Sequence, residues 1–298
     1  MKFGRKPARF TRESFMRSHV LARHLSALGP APATPRDWVS AVTTADTAAW
    51  GMFANGPDPN APAPLSQQGL GDCVIADCAH QEMLRTANVG TIWIPTDLQV
   101  LALYTYFQGM NIDPNSSDLD ANAIAAYLEQ NDNGCDELTV IQYLTTTGWQ
   151  GRKLGGSANL DPTQLDQLKW AVCIFGASRL GLNLPQSAMD QFNAGQPWDY
   201  VAGSSLDGGH DVPIVQYDAN YVYVVTWGQL QPVTYAFLAA KYDDGTPYVD
   251  EAHAELAFDW VNAAGTCPDN LDLAQLQADL SSIVSPTPAL PRARRSRN

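Results

Sequence analysis

The sequence predicts an α+β protein with a helical first half, an antiparallel β second half, and a site between them. Three observations predict this. Before residue 170, apolar residues recur at spacings of three and four over several segments, the period of helices with one buried face. After residue 171 short β-branched runs take over, and residues 212–217 and 221–226 are joined by Asp218-Ala219-Asn220, a hairpin signal. No internal repeat interrupts this order, and helices followed by antiparallel strands pack as segregated halves.

In chain order, residues 1–36 form a basic arm with apolar Phe10, Phe15, Val20, Leu21 and Leu25, consistent with a short helix over 14–28. Gly29-Pro30-Ala31-Pro32 ends it. Three roles stay open for this arm: a pro-segment, a docking arm, or plain packing. Asp37-Trp38 opens a loop-rich stretch, and four prolines make 55–66 irregular. A helix follows from Cys73, with Ile75, Cys78, Ala79 and Met83 on one face. Thr96 caps a second helix through Leu98, Leu101, Tyr104 and Thr105. Residues 109–120 are a polar loop. Asp113 and Asn115 there lack the central Gly and terminal Glu of a calcium loop, so no metal is expected. Helices are expected over 121–130 and 136–147, separated by Asn131-Asp132-Asn133-Gly134.

Asp161-Pro162 reads as a helix start, cap then proline, continued by Leu165, Leu168 and Val172. Residues 172–184 read as β, and 233–238 as a further strand. His253 sits in an Ala- and Glu-rich segment read as an exposed helix. Residues 270–284 read as an amphipathic helix, and Pro286, Pro288 and Pro291 end order before an Arg-rich tail. The organisation expected is an arm (1–36), a main domain (37–267, halves meeting near 170), a C-terminal helix (268–285) and a tail (286–298).

Charge is unevenly spread. Residues 1–36 carry a net +7 and 292–298 a net +4, while the remainder carries −24. A body so acidic is a poor partner for nucleic acid, which needs clustered Lys and Arg. The basic ends have three candidate partners, nucleic acid, an acidic protein or assembly, and the body of their own chain, while the C-terminal one reads as a solvated tail. No apolar run approaches the roughly 20 residues of a membrane span, and none follows the basic N-terminus as a secretory signal requires. Five cysteines at irregular spacing give neither a disulfide framework nor a CxxC metal pair. A cytosolic or particle-associated protein without a cofactor is expected.

The chemistry concentrates in residues 66–80, SQQGLGDCVIADCAH. A Gly-rich turn places the Cys73 thiol at the first turn of a helix. There unpaired N–H groups and the positive end of the dipole favour the reactive thiolate. Gln67 is positioned to donate a hydrogen bond to a developing oxyanion. His210, preceded by Gly208-Gly209, is the expected base. His80 is seven residues from Cys73, about 10 Å along a helix, too far to serve. Cys78 and Cys173 are expected in the core and Cys73 accessible, and Trp227 is expected to pack and to shield His210.

These blocks resemble papain-like cysteine proteases over roughly residues 35 to 240. Asp37-Trp38 looks like the start of the mature enzyme. Gln67 and Gly71-Asp72-Cys73 look like the oxyanion glutamine and nucleophile, and Asp132-Asn133-Gly134-Cys135 is similar to the Gly-rich loop lining the cleft. Gly208-Gly209-His210 looks like the histidine strand, and Thr226-Trp227-Gly228 like the end of the next strand. The resemblance implies catalysis by Cys73 and His210 with Gln67 at the oxyanion. It also implies a cleft at Gly71, Asp72, Asn133, Gly134, Gly209 and Trp227. Closer still, the GDC, GGH and VVTWG blocks and the Leu-Ala-Gln-Leu helix resemble papain-fold sequences of actinobacteria and their phages, as does the use of Arg over Lys.

Departures qualify the implied site. Leu70 stands where the family has a cysteine, which leaves Cys135 without that disulfide partner. Asp72 and Val74 flank the nucleophile in place of a small and an aromatic residue, and a carboxylate beside a thiolate opposes its ionisation. Val225 occupies the position of the third triad residue, and a one-residue slip offers Thr226 as a weaker orienter. The expected function is a thiol hydrolase, a peptidase acting on peptide or protein through a Cys-His dyad. The alternatives are a structural papain-fold protein of a particle such as a virion, and a peptidoglycan amidase or endopeptidase.

Overall fold

The computed structural model describes residues 4–6, 30–34, 69–88, 92–257 and 278. Gln67, Asp37-Trp38, the prolines of 55–66 and the helices expected over 14–28 and 270–284 lie outside these residues, 278 apart.

Four helices come first: α1 (Cys73–Asn88), α2 (Asp97–Phe107), α3 (Ala121–Asn131) and α4 (Glu137–Thr146). Their starts follow local chemistry. Thr96 and Gln99 form a reciprocal capping box on α2, and Asp120 and Asp136 cap α3 and α4 through their side chains. The rest of the described chain builds one antiparallel sheet and three more helices. In chain order these are β1 (Leu154–Asn159), α5 (Leu165–Phe175), β2 (Ser178–Pro185), α6 (Gln186–Asn193), β3 (Leu206–Tyr217), β4 (Tyr221–Thr226), β5 (Gln229–Thr234), α7 (Tyr235–Leu238) and β6 (Val249–Ala257). The sheet order is β1-β6-β2-β3-β4-β5. The fold is thus α+β, with α1 laid against the middle of the sheet. Among the described residues no helix is long and apolar enough to cross a membrane.

Several boundaries differ from the sequence reading. Asp161 does not start α5: its carboxylate accepts from the Thr163 N–H at 2.9 Å and closes its own turn, so the helix begins at Leu165. Residues 172–175 are the last turn of α5 and not strand. Gly176, at φ 82°, ends it, and tertiary burial overrides the β preference of Val172 and Ile174. Residues 235–238 form a helical turn, because the Thr234 hydroxyl accepts from the Phe237 N–H at 3.1 Å. β1 lies in the half read as helical and pairs with β6 at the sheet edge.

The largest correction is His253. It lies on strand β6 and is 1% exposed, with Glu251 and Glu255 buried beside it at period two. Their charges mimic a solvated surface in the sequence. In the fold they meet buried cations. Arg179 on β2 pairs with Asp211 at 2.7 Å and Glu255 at 2.8 Å, and lies 3.5 Å from Asp77 of α1. Arg85 of α1 pairs with Glu82 at 3.1 Å and reaches Glu255 at 3.7 Å. The contact between α1 and the sheet is therefore a layer of buried ion pairs. Each partner depends on the other, since an unpaired buried charge costs several kcal/mol, roughly 3–5 when one partner is lost.

Candidate active site

A hydrogen bond ties the turn before α1 to the opposite wall. The Gly71 N–H donates to the Asp132 carboxylate at 2.9 Å. Tyr104 of α2 also donates to Asp132 and accepts from the Gly134 N–H at 3.0 Å. Gln108 fixes the same loop, donating to the Gly134 carbonyl at 3.1 Å and accepting from the Asn133 N–H at 3.0 Å. Asp72 is buried, and its carbonyl accepts from the Ile75 and Ala76 N–H groups at 2.8 and 3.0 Å, closing the first turn of α1. Cys73 thus stands at the helix N-terminus as expected, facing a loop of fixed shape.

His210 enters from β3, opposite Leu182 of β2. Its Nε2 lies 2.8 Å from the hydroxyl of Thr226, the residue after Val225. Val225 is 1% exposed and packs in the core. Trp227 stacks on the imidazole with centroids 4.8 Å apart and planes within 13°. It does so from the turn between β4 and β5, where Trp227 and Gly228 both have positive φ, 46° and 78°. That backbone suits a tight hairpin but is strained for a bulky residue, at a cost on the order of 1–3 kcal/mol. Phe192 and Trp198 hold the indole edge-on at 4.6 and 5.9 Å.

α1 crosses β3 and brings Cys73 against the backbone of the residue that follows His210. The Cys73 sulfur takes backbone hydrogen bonds from Asp211, next to His210, and from Gly4 of the N-terminal arm. Cys73 is 1% exposed, not accessible as the sequence reading had it. The cover is the arm. The Gly4 carbonyl accepts from the Cys135 N–H at 2.6 Å, the Lys6 N–H donates to the Cys135 carbonyl at 2.8 Å, and the Arg5 N–H donates to the Gly209 carbonyl at 3.2 Å. Arg5 pairs in parallel with Cys135. The approach is so close that a Cβ on Gly134 would lie 1.8 Å from the Gly4 carbonyl oxygen. Of the residues expected to line a cleft, Gly71, Gly134 and Gly209 therefore line the path of the arm. Asp72 and Trp227 are buried, and Asn133 is exposed.

Burial under the arm sets the charge states. Desolvation, helped by the carboxylates of Asp211 and Asp72, pushes the Cys73 thiol well above its usual range. Desolvation lowers the His210 pKa to about 3. In this closed form the pair is a neutral thiol and a neutral imidazole. Cys135 is a buried thiol with its pKa raised, first by burial. Cys78 is in the core and accepts from Arg179 at 3.0 Å, and Cys173 is buried 3.1 Å from the Tyr217 hydroxyl. His80 is buried.

The sequence reading missed a cluster beside the arm. Arg5 is 7% exposed, and its guanidinium pairs with Glu137 at 2.5 Å, Asp250 at 2.7 Å and Glu251 at 2.9 Å. Burial alone pulls its pKa down, but the three acids more than reverse this. Beneath them His253 Nε2 lies 2.7 Å from Glu251 and 3.6 Å from Glu137. Glu137, Glu251 and His253 each offer an atom within 4.8 Å of the others, the kind of set a divalent ion can use. Here the guanidinium holds one oxygen of each glutamate and the imidazole faces the other. The sign of the arm was the available signal: a +7 segment beside a −24 body.

No family model matches the sequence, and no curated protein matches it. Solved structures do. The chain is similar to xylellain, a cysteine protease from Xylella fastidiosa, at 14% identity and TM-score 0.52, over 85% of this chain and 95% of that one. A procathepsin B from Trypanosoma congolense aligns at 12% identity and TM-score 0.46, over 86% of each chain. A Carica candamarcensis cysteine protease aligns at 12% identity and TM-score 0.44, over 76% of this chain and 98% of that one. The likeness to xylellain is one of fold, and the fold of this chain is papain-like.

Proposed function

We propose that the protein is a thiol peptidase whose own N-terminal arm holds it closed. The observation that carries this reading is the placement of Gly4 to Lys6. Their backbone runs between Cys135 and Gly209 directly over Cys73, as an extended peptide would. When the arm leaves, water returns to both groups and favours the charged pair. With Nε2 held by Thr226, Nδ1 of His210 takes the Cys73 proton. The thiolate attacks a peptide carbonyl, the Cys73 N–H and Gln67 stabilise the oxyanion, and His210 returns the proton to the leaving amine. Water then hydrolyses the thioester. Kinship with actinobacterial and phage papain-fold proteins is part of this proposal and rests on the GDC, GGH and VVTWG blocks.

A structural role in a particle is the second reading, and one observation favours it: the neutral, buried state of Cys73 and His210. Hydrolysis of a mixed fluorogenic peptide library by the full chain separates the two. The peptidase reading expects turnover that rises when the arm is loosened and vanishes in Cys73→Ala. Turnover unchanged in Cys73→Ala would remove it.

A further inference from the structure

The three acids that hold Arg5 are built into two different elements. Glu137 opens α4, and Asp250 and Glu251 lie on β6. Register sets the floor: Gly181 of β2 lies between Glu251 on one side and Asp211 on the other. A Cβ at Gly181 would sit 2.3 Å from Arg5 Nε, so this strand is hollowed where the guanidinium lies. Glu137 and Glu251 are each at most 2% exposed and are supported from below by His253. The result is a deep, rigid, anionic pocket shaped for a planar cation and already holding one. It opens beside the cleft, because the residue filling it follows directly on Gly4, whose backbone bonds the Cys73 sulfur.

From this we infer that the pocket of Glu137, Asp250 and Glu251 over Gly181 is a specificity pocket, and that the protein selects peptides carrying arginine within two residues of the cleaved bond. The inference rests on the peptidase reading above. Arg5 is then the internal stand-in for the substrate side chain. The same carboxylates serve twice, to lock the arm and to read the substrate. A guanidinium fits better than an ammonium, because its fork reaches Glu137 through Nε and Glu251 through a terminal nitrogen at once. Bringing either glutamate together with a neutral side chain leaves buried carboxylates without a cation, which supplies the discrimination.

The test uses the full chain carrying Arg5→Ala, which empties the pocket. Four peptidyl acyloxymethyl ketones are compared: Gly-Arg, Arg-Gly, and the same two with citrulline, which keeps length and hydrogen bonding but lacks charge. The Cys73 sulfur displaces the carboxylate leaving group and forms a thioether, read at Cys73 by peptide mass spectrometry. One arginine ketone is expected to label at least about tenfold faster than its citrulline counterpart. Glu251→Gln should bring that ratio near one. Asp250→Asn, at a side chain 24% exposed and therefore safe for folding, should lower it by a smaller factor. Equal rates for arginine and citrulline, with Cys73 still labelled, would overturn the pocket inference and leave the peptidase reading standing. No labelling of Cys73 by any ketone would overturn both.

Discussion

Truncating Arg5 to alanine should open the cleft without touching the reacting groups. The side chain makes three ion pairs at 2.5 to 2.9 Å, two of them to acids that are at most 2% exposed. Removing one partner of a buried pair costs about 3–5 kcal/mol. The low end applies here, because Asp250 sits at the rim and the open form hydrates all three carboxylates. At 1.36 kcal/mol per factor of ten, about 3 kcal/mol raises the open fraction roughly 100-fold. The assay is the rate of alkylation of each cysteine by iodoacetamide, read by peptide mass spectrometry. Cys73 should react roughly 100-fold faster in Arg5→Ala than in the native chain, while Cys78 and Cys173, buried elsewhere, stay slow. A Cys73 rate within twofold of native would refute the arm as the cover of the site.

Gly181→Ala should also release the arm, because its Cβ would fall 2.3 Å from Arg5 Nε; faster Cys73 alkylation checks this, and it should blunt any preference for arginine. In the Arg5→Ala chain, Thr226→Val should slow Cys73 alkylation near neutral pH by roughly 2–10-fold, the value of one hydrogen bond, and Thr226→Ser should restore it. Arg179→Ala should lower unfolding stability in urea by about 3–5 kcal/mol, since it strands buried Asp211 and Glu255. The His210 pKa is depressed to about 3, so between pH 3 and 6.5 the unfolded chain binds a proton that the closed form does not. Stability of the closed form should therefore rise with pH across that window, by up to about 4–5 kcal/mol from this group, and His210→Phe should flatten that part of the profile.

Legibility followed how local the information was. The capping box at Thr96, the turn into Cys73 and the hairpin before Thr226 depend on neighbours in sequence, and they stand where the sequence places them. His210 and Thr226 were nominated from the same short-range blocks, and the fold brings them within 2.8 Å. The reading failed where a partner was remote. Glu251, His253 and Glu255 alternate like a strand, but charge made the segment read as solvated. Remote cations account for its burial: Arg5 is 246 residues from Glu251, Arg179 is 76 from Glu255, and Arg85 also reaches Glu255. The arm was legible as basic but not as cleft-filling, because nothing local ties Gly4 to Gly71 and Gly134.

The central claim is that His210 activates Cys73 once the arm is displaced. The direct measurement is the pH dependence of Cys73 alkylation in Arg5→Ala, with and without His210→Ala. The account predicts that Cys73 stays reactive well below the ordinary thiol pKa of about 8.5, and that His210→Ala returns the profile to that of an ordinary thiol. A rate that rises only above that pKa, and equally without His210, would contradict it.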